Sequence, residues 1–116
     1  MAVDNGGDKA GYIIAFVTAK DVEEARRIAD TVIEEALVAC CNIVPAVESV
    51  YRWKGKLCHD KEVLCIFKTT KALFERLKDR LVELHSYDVP EVLAFGITAG
   101  HGEYLRWIGE SCGGTE

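Results

Sequence analysis

The stretch from Cys40 to Thr70 constrains this chain more than any other, because it reads as two very long strands folded on a short turn. The limbs are CCNIVPAVESVYRW and LCHDKEVLCIFKTT, joined at Lys54-Gly55-Lys56. A strand in a globular protein usually holds about 5–6 residues, and each limb here is roughly twice that. A core drawn from 116 residues would struggle to cover so long a ribbon. Uncovered strand edges carry unpaired donors and acceptors that invite another chain. The hairpin therefore predicts self-assembly before it predicts any chemistry. In the first limb Val47, Ser49, Tyr51 and Trp53 share one face, with Glu48, Val50 and Arg52 on the other. Pro45 cannot donate to a ladder, so a bulge, bend or edge position is expected there.

The flanking segments supply the partners of this ribbon. Tyr12 to Thr18 is a nearly continuous apolar run, as a strand buried on both faces requires. Asp21 follows as an N-cap, with Glu24 spaced for a capping box. Val22, Ala25, Ala29, Val32, Ile33, Ala36 and Leu37 then recur at helical spacing, predicting a helix with Glu, Arg and Asp on its outer face. After the hairpin, Thr70 is the expected cap of a second helix bearing Leu73, Phe74, Leu77, Leu81 and Leu84. HSYDVP is a turn, Val92 to Thr98 a fourth strand, and a last helix after Gly102 carries Tyr104, Leu105, Trp107 and Ile108. The order βαββαβ plus a terminal helix, with right-handed crossovers, predicts an α+β, ferredoxin-like sandwich. Its helices cover one sheet face, and the other still needs cover. Residues 1–11 are expected as a flexible tail, 12–112 as a single domain and 113–116 as a C-terminal tail.

Charge narrows the partners. With 19 acidic against 14 basic residues the net charge is −5. That argues against nucleic acid, which needs a basic footprint, and against an anionic membrane surface. No apolar run approaches the roughly 20 residues of a transmembrane helix. Five cysteines in no secreted-scaffold spacing point to a reducing, cytoplasmic setting, and the absence of CxxC argues against a structural zinc site. Cys65 and one of the Cys40/Cys41 pair read as small buried hydrophobes.

Candidate chemistry is sparse. Cys58-His59-Asp60 offers three ligand types in a row, but adjacent strand residues point to opposite faces, so a surface role is expected. His101, between two glycines, reads as a loop or capping residue. His85 is the stronger candidate, because HSYDVPE brings Tyr87, Asp88 and Glu91 near it; the competing reading is a histidine favoured by a helix C-terminus. The chain has no GxSxG elbow, phosphate-cradling glycine loop or HExxH motif. It reads as a binding or assembly protein rather than an enzyme. An acylphosphatase would need an arginine-bearing loop after the first strand, where this chain has Ala19-Lys20-Asp21. An RNA-binding module would need aromatics within a basic surface.

The segments ACCNIVP (39–45), SVYRWKGK (49–56), Glu62-Val63, FKTT (67–70), LHSYDVPE (84–91) and YLRW (104–107) together resemble the divalent-cation tolerance protein CutA family. The resemblance covers about Tyr12 to Cys112. It implies a homotrimer related in architecture to PII-type signalling proteins, with long hairpins pairing between subunits. It also implies a link to metal tolerance through binding of copper or another divalent cation, zinc included, or of a small ligand. On this basis His85, Cys40, Asp88 and Glu91 are candidate metal ligands. Tyr51, Trp53, Lys68, Tyr87, Tyr104 and Trp107 are candidates for an intersubunit cleft. A PII-like signalling protein or a scaffold with no metal site is the alternative on the same architecture. Three positions depart from the pattern: Ser86 stands where many members have proline. Val17 and Leu84 stand where some bacterial members carry a cysteine and a histidine proposed as copper ligands.

Overall fold

Why the ribbon forms as it does is visible in its register. In the computed structural model, which describes residues 11–113, β1 spans Tyr12–Ala19, β2 spans Cys40–Trp53 and β3 spans Lys56–Thr70. The two hairpin limbs hold 14 and 15 residues. They pair antiparallel from Cys40↔Lys68 to Trp53↔Lys56, with one break between Val44 and Val47. That break is the bulge expected at Pro45, and Ala46 takes φ 63° to make it. The turn uses Lys54 at φ 51° and Gly55 at φ 78°, the left-handed pair that a tight hairpin turn demands.

β4, Val92–Gly96, completes an antiparallel sheet in the order β2-β3-β1-β4. With α1 (Val22–Glu34), α2 (Phe74–Leu84) and α3 (Gly102–Ser111) this is an α+β fold of split-βαβ topology. The tail expected over 1–11 lies, except for Gly11, outside the described residues, as do residues 114–116.

Burial alternates along the sheet. Ala15, Val17, Val63, Cys65 and Phe67 point to the helix side and are buried against Ile28, Val32, Leu77 and Leu81. Cys41 packs on the same core while staying partly exposed. The opposite face carries Ile14, Phe16, Leu64 and Ile66, all partly exposed among the described residues. Toward the β4 edge Leu93 and Phe95 are 57% and 49% exposed.

Several local expectations shift. α1 stops at Glu34, because Ala36 turns left-handed at φ 59°, so Ala36 and Leu37 leave the helix while Leu37 still packs in the core. Thr70 caps only a short turn, Lys71–Leu73, and its side chain makes no capping bond; α2 itself begins at Phe74. β4 ends at Gly96 rather than Thr98. Gly113 belongs to the fold, since its N–H donates to the Ala36 carbonyl at 2.7 Å. α2 is clamped to the end of α1 by Arg80, whose guanidinium donates twice to the Glu35 carboxylate at 2.8 Å.

Candidate functional site

The candidate residues gather at two ends of the sheet. One end is organised by Glu24. As the third residue of α1, after the Asp21 cap, it has its own N–H held by Asp21 Oδ1 at 2.8 Å. Its carboxylate turns inward instead of toward solvent, correcting the expectation that the acids of this helix lie outside: the side chain is 1% exposed. It accepts from Lys20 N–H at 3.1 Å and from Ser86 N–H at 2.8 Å. Arg27 stands 3.7 Å away. Burial pushes this carboxyl up, but the hydrogen bonds from Ser86 and Lys20, with His85 nearby, outweigh it and hold it below the usual carboxylate range.

Glu24 thereby ties the HSYDVP turn to α1, and His85 ties the same turn to the sheet. The ring is buried, with Nε2 at 2.7 Å from the Thr18 carbonyl, so Nε2 carries the proton and donates. Nδ1 accepts from Tyr87 N–H at 3.1 Å and lies 3.8 Å from the Glu24 carboxylate. Both ring nitrogens are thus engaged. Tyr87 packs on the His85 ring and donates its hydroxyl to Glu62 on β3 at 2.6 Å. Burial and the adjoining Glu62 carboxylate push the Tyr87 phenol well up. Two residues back along the hairpin the Tyr51 hydroxyl donates to Asp60, which raises that phenol to about 12.

The other end lies beside α3. Cys40 opposes Lys68 across β2 and β3. The Lys68 ammonium donates to Asn42 Oδ1 and stands 3.8 Å from Cys40 Sγ. The Tyr104 ring lies 5.5 Å from that of Trp107 between centres, tilted to it, and burial together with the nearby Cys40 thiol raises its phenol. His101 caps α3 through Nδ1, which accepts from Glu103 N–H at 3.2 Å.

These positions decide which expected residues meet. Asp88 and Glu91 are exposed, and Glu91 precedes Val92, which pairs with Val17, so it shares the end of the sheet with His85. Cys40 does not. Lys68 pairs with Ile14, four residues before the Thr18 that holds His85. Cys40 therefore lies about 13 Å along the sheet and roughly 10 Å across it from that histidine. Among the described residues no group of three or more His, Cys, Asp or Glu side chains is placed to hold a metal ion. The expected His85, Cys40, Asp88 and Glu91 set is thus not assembled within one chain. The cleft set also separates. Tyr51 sits opposite Cys58, ten residues along β3 from Lys68, or about 33 Å. Trp53 is farther out, 58% exposed at the hairpin tip with Lys54 over its ring. Tyr87, Tyr104 and Trp107 fall at the two sheet ends. His59 and Asp60 are exposed in the regular strand β3, as expected of surface residues.

A split-βαβ domain with a hairpin of 14- and 15-residue limbs and a polar cluster at each end of its sheet defines a class of α+β, ferredoxin-like domains. This chain belongs to the CutA1 divalent ion tolerance protein family, which matches residues 13–111. It is 45% identical over 100 residues to the divalent-cation tolerance protein CutA of Thermus thermophilus, covering 86% of this chain and 97% of that protein. It is 44% identical to the chloroplastic protein CutA of Arabidopsis thaliana over 85% of this chain, but spans only 54% of that protein's length. Among solved structures, CutA1 of Oryza sativa superposes with a TM-score of 0.88 at 41% identity, over 92% of this chain and 98% of that one. A protein from Archaeoglobus fulgidus described as periplasmic divalent cation tolerance protein CutA superposes at 0.84 with 37% identity, over 86% of this chain and 97% of that one. Among the described residues no helix is long and apolar enough to cross a membrane.

Proposed function

We propose that this CutA family member is a cytoplasmic homotrimer that binds a divalent cation or small ligand in clefts between its subunits, and that this binding underlies a role in cation tolerance. The observation that carries the reading is the set of large apolar side chains left uncovered in one chain, on the open sheet face at β4 and on both faces of the hairpin. Leu93, Phe95, Val50, Trp53 and Leu57 are all between 49% and 73% exposed. Large apolar side chains left exposed in this number mark surfaces that another chain covers. Among the described residues the outer edge of β2 is also unpaired. The resemblance to the family supplies the number three and the PII-like arrangement. Since Tyr51 and Trp53 lie far from Lys68 in one chain, a cleft containing all three needs the hairpin of one copy against the sheet end of another. The cytoplasmic placement rests on five free cysteines, and relatives named for the chloroplast and the periplasm make it a point to test.

For the cation, Asp88 and Glu91 are the exposed donors beside His85, and His85 joins them only by giving up the Tyr87 or the Thr18 contact. Copper or zinc, which suit imidazole, would make that exchange worthwhile. Titrating copper and zinc into wild type and His85→Ala, with exposed thiols blocked, tests this. A loss of affinity in the variant supports His85 as a ligand. Equal affinity assigns the histidine to holding the turn and favours a scaffold with no specific metal site.

A further inference from the structure

The sheet end beside α3 carries a cation without an anion. Lys68 is only partly exposed, yet among the described residues no Asp or Glu carboxylate pairs with its ammonium. Its partners are the Asn42 amide oxygen and the Cys40 thiol, both uncharged in the ordinary state. Taking an ammonium partly out of water is costly unless a counter-charge arrives. The neighbours suit a particular arrival. Asn42 spends its oxygen on Lys68, which leaves its NH2 as a second donor. Tyr104 adds a hydroxyl beside Cys40. The Tyr104 and Trp107 rings, tilted 31° to each other and each a little over 40% exposed, offer an apolar shelf on the side of Cys40 that Tyr104 occupies.

We propose that this corner binds a small planar anion, an aromatic or heteroaromatic ring carrying a carboxylate or phosphate. The oxyanion meets the Lys68 ammonium and the Asn42 amide, and the ring lies on the Tyr104–Trp107 shelf. A divalent cation is the wrong occupant here, because the ammonium 3.8 Å from Cys40 repels it. Cys40 therefore belongs to the anion corner rather than to a metal site. The proposal names the small ligand for one part of the cleft described above and rests on that reading for the neighbouring hairpin that would wall the corner.

The test uses calorimetry and ligand-observed NMR with four probes: benzoate, phenyl phosphate, inorganic phosphate and benzyl alcohol. Benzoate or phenyl phosphate should bind about tenfold or more tightly than either the ring without charge or the charge without ring. The tighter of the two tells carboxylate from phosphate. Lys68→Met should abolish that preference, Lys68→Arg should keep it, and Tyr104→Ala should lower ring-bearing probes toward inorganic phosphate. If Lys68→Met does not fold, Lys68→Arg and Tyr104→Ala decide alone. Equal affinity for benzoate and benzyl alcohol, or unchanged benzoate affinity in folded Lys68→Met, overturns the proposal. So does a fall in oligomer mass in Lys68→Met with no probe competition, which would make the counter-charge a carboxylate of a second copy. Oligomer mass, measured on the same samples, separates the two ideas. A trimer that ignores the probes sinks the anion corner alone, and a monomer that binds them through Lys68 sinks the trimer alone.

Discussion

Replacing Glu24 probes the point where α1, the sheet and the HSYDVP turn are tied together. Its carboxylate accepts two backbone N–H groups, from Lys20 and Ser86, at 3.1 and 2.8 Å. Hydrogen bonds to a charged group are worth about 1.5–3 kcal/mol each, and a donor left unsatisfied in a buried place costs about as much. Glu24→Ala should therefore destabilise the fold by roughly 3–5 kcal/mol, allowing some rescue of Ser86 N–H by water. Glu24→Gln keeps one amide oxygen but sets an NH2 against the other backbone donor, so it should cost about 2 kcal/mol. The pH dependence follows from the same contacts. The folded carboxyl titrates below its ordinary 4.5. Its stabilisation is therefore fully present above that value and is lost as pH falls through the folded value. Urea unfolding of all three proteins at one fixed chain concentration, at pH 7 and at descending pH below 5, reads both effects. Wild type should lose stability in that window, and Glu24→Gln should lose less of it. A Glu24→Gln protein within about 0.5 kcal/mol of wild type, the range of a surface change, would refute the reasoning.

Three further outcomes are expected. Trp53→Ala should leave far-ultraviolet circular dichroism unchanged at low temperature yet weaken assembly in light scattering, because the ring is 58% exposed in a single chain. Gly113→Ala should lower the melting temperature, since φ is +71° and a Cβ would come 2.9 Å from Leu73 Cδ1; the strain is about 1–2 kcal/mol. Arg80→Ala should cost no more than about 1 kcal/mol in urea unfolding, and added salt should shrink the difference, because the Glu35 pair is open to solvent.

Much of this architecture is written in local patterns. Alternation along CCNIVPAVESVYRW and helical spacing in α1 each report a single element, and Pro45 marks its bulge through its missing N–H. Contacts that join distant segments leave no such trace. The partner of Glu24 is Ser86, and that of His85 is Thr18, 62 and 67 residues away. A glutamate at the third position of a helix looks like an ordinary capping-box acid, so its burial was hidden, though that position was the available clue. The histidine stood out because of its motif, but the engagement of both nitrogens depends on where β1 ends. Tyr51 and Trp53 share a face by periodicity, while the distances that keep Tyr51 from Lys68 follow only from the register.

Sedimentation equilibrium on dilute, metal-free protein tests the central claim most directly. The open sheet face and the overlong hairpin predict assembly, and the family resemblance makes it a single species of three chains that persists on dilution and dissociates more readily in Trp53→Ala. A stable monomer with the same fold would contradict the account, for it would show that the exposed apolar face needs no second copy.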